Sequence, residues 1–193
     1  VGGKLTSAIT KPAVIAAGAV AAIGTAVGVS ALNAYGTWEQ ATGGIETLFK
    51  GSAKKVTGYA DQAYKTAGVS ANAYMTTVTS FSASLLQGLG GDTEKAADLA
   101  NTALVDMSDN ANKFGSNMTD IQNAYQGFAK QNYTMLDNLK LGYGGTKEEM
   151  QRLLADAEKL TGVKYDMGNF ADVISAIHAV QDEMGVTGTT ALE

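Results

Sequence analysis

The chain has no cysteine, one proline and one histidine. Without cysteine there are no disulfides, no zinc–thiolate sites and no thiol chemistry. That suits a reducing cytoplasm without requiring one. A single proline leaves long helices permitted almost everywhere. A single histidine, His178, removes most combinations of base, nucleophile and orienting group. Leu, Ile and Phe are thin, and the 45% hydrophobic share is carried largely by alanine. Small side chains bury little area each, so a core made from them is shallow or needs neighbours. Positive charge is also short: 14 Lys and Arg against 19 Asp and Glu leave a net charge of −5. This is the wrong balance for gripping duplex DNA by its phosphates, and no specific nucleic-acid binding is expected.

Glycine is plentiful, at 23 residues. Each costs a helix interior roughly 1 kcal/mol relative to alanine, so many helices are expected, several of them marginal alone. Residues 13–32, AVIAAGAVAAIGTAVGVSAL, run without a charge after Lys4 and Lys11. At ~1.5 Å per residue such a run spans ~30 Å, the thickness of a bilayer core. Pro12 fits the first position of a helix, and Gly24-x-x-x-Gly28, with Gly18 before it, permits close backbone contact between paired helices. The same run could equally pack inside a protein bundle. Val1 in place of an initiator Met marks the chain as a fragment or a processed product.

The pattern predicts an all-α chain: an apolar helix over 1–35, a hinge at 36–44 (GTWEQATGG), and glycine-punctuated amphipathic helices over 45–193, with no sheet. The first of these helices is expected over about 44–67, stopped by Gly68. The next begins at Ser70 and ends at Gly88-Leu-Gly-Gly91, and Asp92 caps another through Met107. From 105 to 145 the pattern is mixed: helix again over 118–128, a short turn at 136–141, and a GYGG loop. Thr146-Lys-Glu-Glu149 has capping-box spacing, each side chain satisfying a free N–H at a helix start. That helix ends at Gly162, a last one covers about 169–184, and Thr187–Thr190 reads as the cap of a further helix.

The chemical readings are few. His178 in ISAIHAV lies among apolar positions, where a structural or surface role is expected. A catalytic reading would require a pocket bringing it beside acids such as Asp172 or Asp182. Asp106 to Asn112 briefly resembles a calcium loop, but Ala111 stands where the sixth-position glycine belongs and Asn117 where the bidentate Glu belongs. A polar helix end accounts for it better, with Asp98, Asp106 and Asp109 keeping a helix face wet. GYGGTKEEM lacks the Gly-Lys-Ser/Thr ending of a phosphate loop. Tyr125, Phe128 and Tyr133 near Lys130 suit core packing better than base stacking. No catalytic, cofactor or metal residue can be named. The candidate membrane or close-packing positions are Gly18, Gly24 and Gly28.

Several blocks nevertheless resemble one family. ETLFKGSAKKV (46–56), AYKTAGVSANAYMTTVTSFSASLLQGLGGDTEKAADLA (63–100), DMSDNANKFGSNM (106–118) and above all QNAYQGFAKQNYTMLDNLKLGYGGTKEEMQRLL (122–154) resemble tail tape measure proteins of long-tailed phages and prophages of Gram-positive bacteria. EKLTGVKYDMGNFADVISAIHAVQDEMGVTGTTALE (158–193) continues the likeness, while the first 40 residues match only in apolar character. The resemblance implies a structural virion protein and not an enzyme. Such a protein is made in the bacterial cytoplasm, sits in a few self-associated copies inside the tail tube, and sets tube length. The implied partners are the tail tube protein, tail assembly chaperones, tail tip proteins and, at infection, the host inner membrane. Folded back by its glycines, this part is expected to be a compact or membrane-active segment and not the ruler rod. Alone, its helices are expected to melt with little cooperativity, their apolar stripes meant for a tube wall, sister copies or lipid. The competing expectation is an independent membrane-active helical protein, a pore-former or toxin partner.

Overall fold

The computed structural model describes residues 26–190, with side chains from Ala34 onward. Its α-helices are α1 (Ala26–Phe49), α2 (Ala53–Ala67), α3 (Ala71–Gly88), α4 (Thr93–Phe114), α5 (Met118–Phe128), α6 (Lys147–Thr161) and α7 (Phe170–Glu183). Single 3-10 turns lie at Lys50–Ser52 and Leu136–Leu139. No strand occurs among the described residues, so the fold is all-α. The chain divides into two compact units, Val1–Gln40 and Ala41–Glu193. In the first, residues 34–40 are helical and exposed, Tyr35 and Trp38 among them. Most of the apolar run, including Gly18 and Gly24, lies outside the described residues, while Gly28 falls within α1. No helix among the described residues is long and apolar enough to cross a membrane.

The expected helix ends follow from local chemistry. Ser70, Asp92, Asn117, Thr146 and Asn169 each accept a backbone N–H of the helix they precede, relieving donors that the helix ladder leaves free. At the other end Gly68, Gly115 and Gly162 take φ values of 63°, 61° and 72°, the left-handed conformation that closes a helix without a Cβ penalty.

Four expectations require correction. Residues 36–44, expected as a hinge, do not break the helix, because α1 runs through them, although the boundary between the two units, after Gln40, falls among them. Their glycines are tolerated because Ala41, Ile45 and Phe49, at four-residue steps, bury against the core. At Gly44 the missing Cβ also permits close approach, since an added one would lie 3.3 Å from the Thr79 methyl. The helix expected over 44–67 is instead interrupted at Lys50–Ser52, with Lys50 at φ 48°. Ser52 and Thr93 share a 2.9 Å hydroxyl hydrogen bond there, so the break is anchored by a residue forty-one positions away. Helix α4 continues to Phe114 through the polar run because its polar side chains meet partners from distant segments, described below.

The capping box is only half formed. Thr146 accepts the Glu149 N–H, but the Glu149 carboxylate accepts from Gly144 and Arg152. Arg152 also donates to the Gly142 carbonyl and lies over the Tyr143 ring, so it draws the carboxylate toward the GYGG loop. Thr187–Thr190 is bound against α4, and the further helix it was expected to cap lies outside the described residues.

The interior of the second unit is continuous from Ala41 to Val186. Helices α2 and α4 are in contact, and both bury alanines, Ala53, Ala60, Ala63 and Ala67 on one and Ala96, Ala97, Ala100 and Ala103 on the other. Bulk is concentrated elsewhere, in Tyr74, Met75, Phe81 and Leu85 of α3 and in Ile121, Tyr125 and Phe128 of α5. Phe81 meets Phe170 of α7 edge to face, ring centroids 5.8 Å apart at 71°, a favoured aromatic geometry. The apolar stripes of residues 41–190 therefore cover one another, contrary to the expectation that they wait for outside partners. Far- and near-UV circular dichroism should report one coincident urea transition for this unit. Phe81→Ala should lower its stability by about 3–5 kcal/mol. Separate transitions for the two signals would contradict the shared core.

Candidate functional site

The chemically distinctive place in the second unit is the C-terminal half of α4, where Asp106, Ser108, Asp109 and Asn110 are all buried. Positions 106, 109 and 110 share one helix face by their spacing. Burying such groups is costly unless each finds a partner. Asp106 is 2% exposed, and both its carboxylate oxygens lie 2.9 Å from Nδ1 of His178 on α7. The Asp106 carbonyl accepts a hydrogen bond from Gln181 Nε2 at 3.3 Å. Gln181, itself fully buried, accepts at Oε1 from Asn110 Nδ2, which also donates to the Leu139 carbonyl. Ser108 faces the other way and donates to the Ala67 carbonyl at the end of α2.

Asp109 is fully buried. Its two oxygens accept the backbone N–H groups of Gly188 and Thr190 at 2.7 and 2.8 Å. Thr189 donates its hydroxyl to the Asp109 carbonyl, and its own carbonyl accepts from Asn112. The segment after α7 is thereby strapped to α4 by one carboxylate. Asp106 and Asp109 do not keep a helix face wet. They are interior anchors, and only Asp98 stays at the surface, bound to Lys55 and Tyr59.

The electrostatics follow from this placement. Burial pushes the Asp106 carboxyl above its ordinary value, outweighing the downward pull of the His178 hydrogen bond and charge, with Asp109 and Asp182 adding upward pressure. The hydrogen bond to Asp106 raises His178 above its ordinary 6.5, opposed by the half-burial of its ring. Tyr125, wholly buried and near enough to feel the Asp106 charge, is pushed far up, chiefly by desolvation.

His178 thus meets a carboxylate, but neither of the two considered from sequence. Asp172 instead accepts the Asp166 N–H, and Asp182 accepts the Thr187 hydroxyl. Among the described residues no hydrogen bond engages Nε2 of His178, where an acyl-transfer nucleophile would sit. The ring also lines none of three clefts that lie along α6, beside Gly88 and beside Tyr143. No group of three metal-ligating side chains occurs among the described residues. What the arrangement does chemically is hold α7 and its trailing segment onto α4. One signal for it was present in the sequence: Asn110 lies three residues beyond Met107, in register with the apolar stripe of Ala96, Ala100 and Ala103. Asp106, three residues beyond Ala103, stood in a similar register, whereas Asp109 gave no such sign.

Comparison with protein-family models, curated proteins and solved structures yields no match.

Both raised groups act in the same direction. The folded state holds the His178 proton beyond pH 6.5 and the Asp106 proton beyond 3.8, so stability falls as pH rises through each folded value. The His178 contribution is complete below pH 6.5. Unfolding free energy should therefore decline between mildly acidic and alkaline pH. His178→Gln, which retains a donor but does not titrate, should flatten the part above pH 6.5; an unchanged slope would remove His178 as its source. By NMR, the single imidazole should titrate above 6.5 and move downward in Asp106→Asn. Asp109→Ala, which strands two backbone donors, should cost about 2–4 kcal/mol. It should also speed hydrogen exchange at Gly188 and Thr190.

Proposed function

We propose that this chain is part of a phage tail tape measure protein, a structural virion component and not an enzyme. In this reading the parent chain is the scaffold on which tube subunits polymerise and the determinant of tail length. It also takes part in passage of the genome across the host membrane. The observation that carries the reading is the long contiguous likeness over residues 122–154, extended by the blocks at 46–56, 63–100, 106–118 and 158–193. An all-α architecture is compatible with it, since a ruler needs a fixed rise per residue.

The folded-back helices refine the role of this segment. One unbroken helix over residues 41–190 would reach on the order of 220 Å at ~1.5 Å per residue. The helices of this unit instead pack on one another, so the segment serves as a compact body on the ruler. Its polar anchors support a structural assignment, because Asp106 and His178 are engaged in joining two helices. The partners follow from the same reading: sister copies, the tube protein, assembly chaperones and tail tip proteins, with the inner membrane at infection.

Peptide mass spectrometry of purified particles should recover sequences from residues 41–190, and a nonsense codon upstream in the parent gene should leave heads without polymerised tails. Normal tails devoid of these peptides would refute the assignment. The exposed Tyr35 and Trp38 beside the apolar run favour a membrane-active alternative. Dye release from liposomes by the purified chain alone, with tails unaffected by its loss, would select that reading.

A further inference from the structure

The cleft along α6 is the largest described, about 510 Å³, within the ~300–1,000 Å³ range of side-chain and ligand sites. One wall is the outward stripe Gln151, Leu154, Ala155 and Glu158, at helical three- and four-residue steps. The opposite wall is the loop between α6 and α7, with Tyr165 and Met167, and the first turn of α7 at Asp172. The cleft therefore has two kinds of lining: an apolar floor from Leu154, Ala155, Tyr165 and Met167, and a rim holding Glu158, Asp166 and Asp172 against Lys164 alone.

Two of the three carboxylates, Asp166 and Asp172, are held in place. Asp172 Oδ2 accepts the Asp166 N–H and Asp166 Oδ1 accepts the Gly168 N–H, each at 2.8 Å. The second oxygen of each makes no hydrogen bond among the described residues.

We propose that this cleft docks a basic, amphipathic segment of a partner protein, with a lysine or arginine side chain lying along its floor. Such a side chain matches both linings, because its methylene stem covers apolar surface while its charged head reaches the rim. The sign of the rim selects among occupants. Nucleic acid and anionic lipid would meet three carboxylates against one ammonium, and a second copy would set acidic rim against acidic rim. A basic partner alone gains from the charge it finds there. This inference does not depend on the phage reading.

A short fluorescein-labelled peptide with lysine and leucine at helical spacing provides the probe, titrated against the full chain by anisotropy. Glu158→Lys should weaken binding at least about tenfold and Lys164→Glu should tighten it about threefold or more. Asp61→Lys, an equal charge change at an exposed position of α2 outside the cleft lining, should leave the affinity unaltered. A peptide with glutamate replacing lysine should not bind. Amide shifts should be confined to α6 and residues 164–172. Far-UV circular dichroism confirms that each variant remains folded. The proposal is overturned by absence of binding by the lysine peptide, by equal weakening in Asp61→Lys and Glu158→Lys, or by binding of the glutamate peptide.

Discussion

Two carboxylates inside α4 must be satisfied before the rest of the second unit can close. Asp106 and Asp109 lie three residues apart in a nearly dry interior, where an unpaired charge would cost several kcal/mol. Their partners come from α7 and from residues 188–190, more than seventy positions away. Docking of α7 and burial of these groups are thereby one event. The apolar contacts of Ile174, Ile177 and Val180 drive α7 inward, and the polar contacts determine the register in which it arrives. A rotated α7 would turn His178 away and leave Asp106 without its partner.

The same helix serves as the hub for the alanine interface. Along its N-terminal half α4 presents small residues to α2, and along its C-terminal half polar anchors to α7. Alanine contributes little area per residue, so each buried alanine of α2 and α4 adds only a small share of the hydrophobic burial. Bulk hydrophobic burial comes from α3, α5 and α7, with the Phe81–Phe170 contact linking the first and last of these. The division explains how an alanine-rich, glycine-rich chain can enclose a continuous core.

Legibility from sequence depended on the range of the interaction involved. Caps at Ser70, Asp92 and Thr146 and stops at Gly68 and Gly162 involve groups within a few residues, and their chemistry is visible in the local string. The break at Lys50–Ser52 was not, because Ser52 needs Thr93. The continuity of α1 through its glycines was also hidden, since it depends on burial of Ile45 and Phe49 and on Thr79 facing Gly44. The cluster around Asp106 gave the most misleading signal. Four polar residues in five read as a solvated helix end, and Gln181 and His178 as ordinary members of the last helix.

Sequence alone determined that the chain is all-α, where most of its helices start and stop, and which apolar stripes they carry, because these rest on backbone geometry and on neighbours within one or two turns. It also carried the scarcity of reactive groups. Tertiary structure alone decided that the stripes of residues 41–190 cover one another, that Asp106 and Asp109 are interior, and that the segment after α7 straps onto α4. The reason is that a carboxylate on a helix is equally compatible with water or with a buried partner. Which it meets depends on a chain segment seventy or eighty residues away.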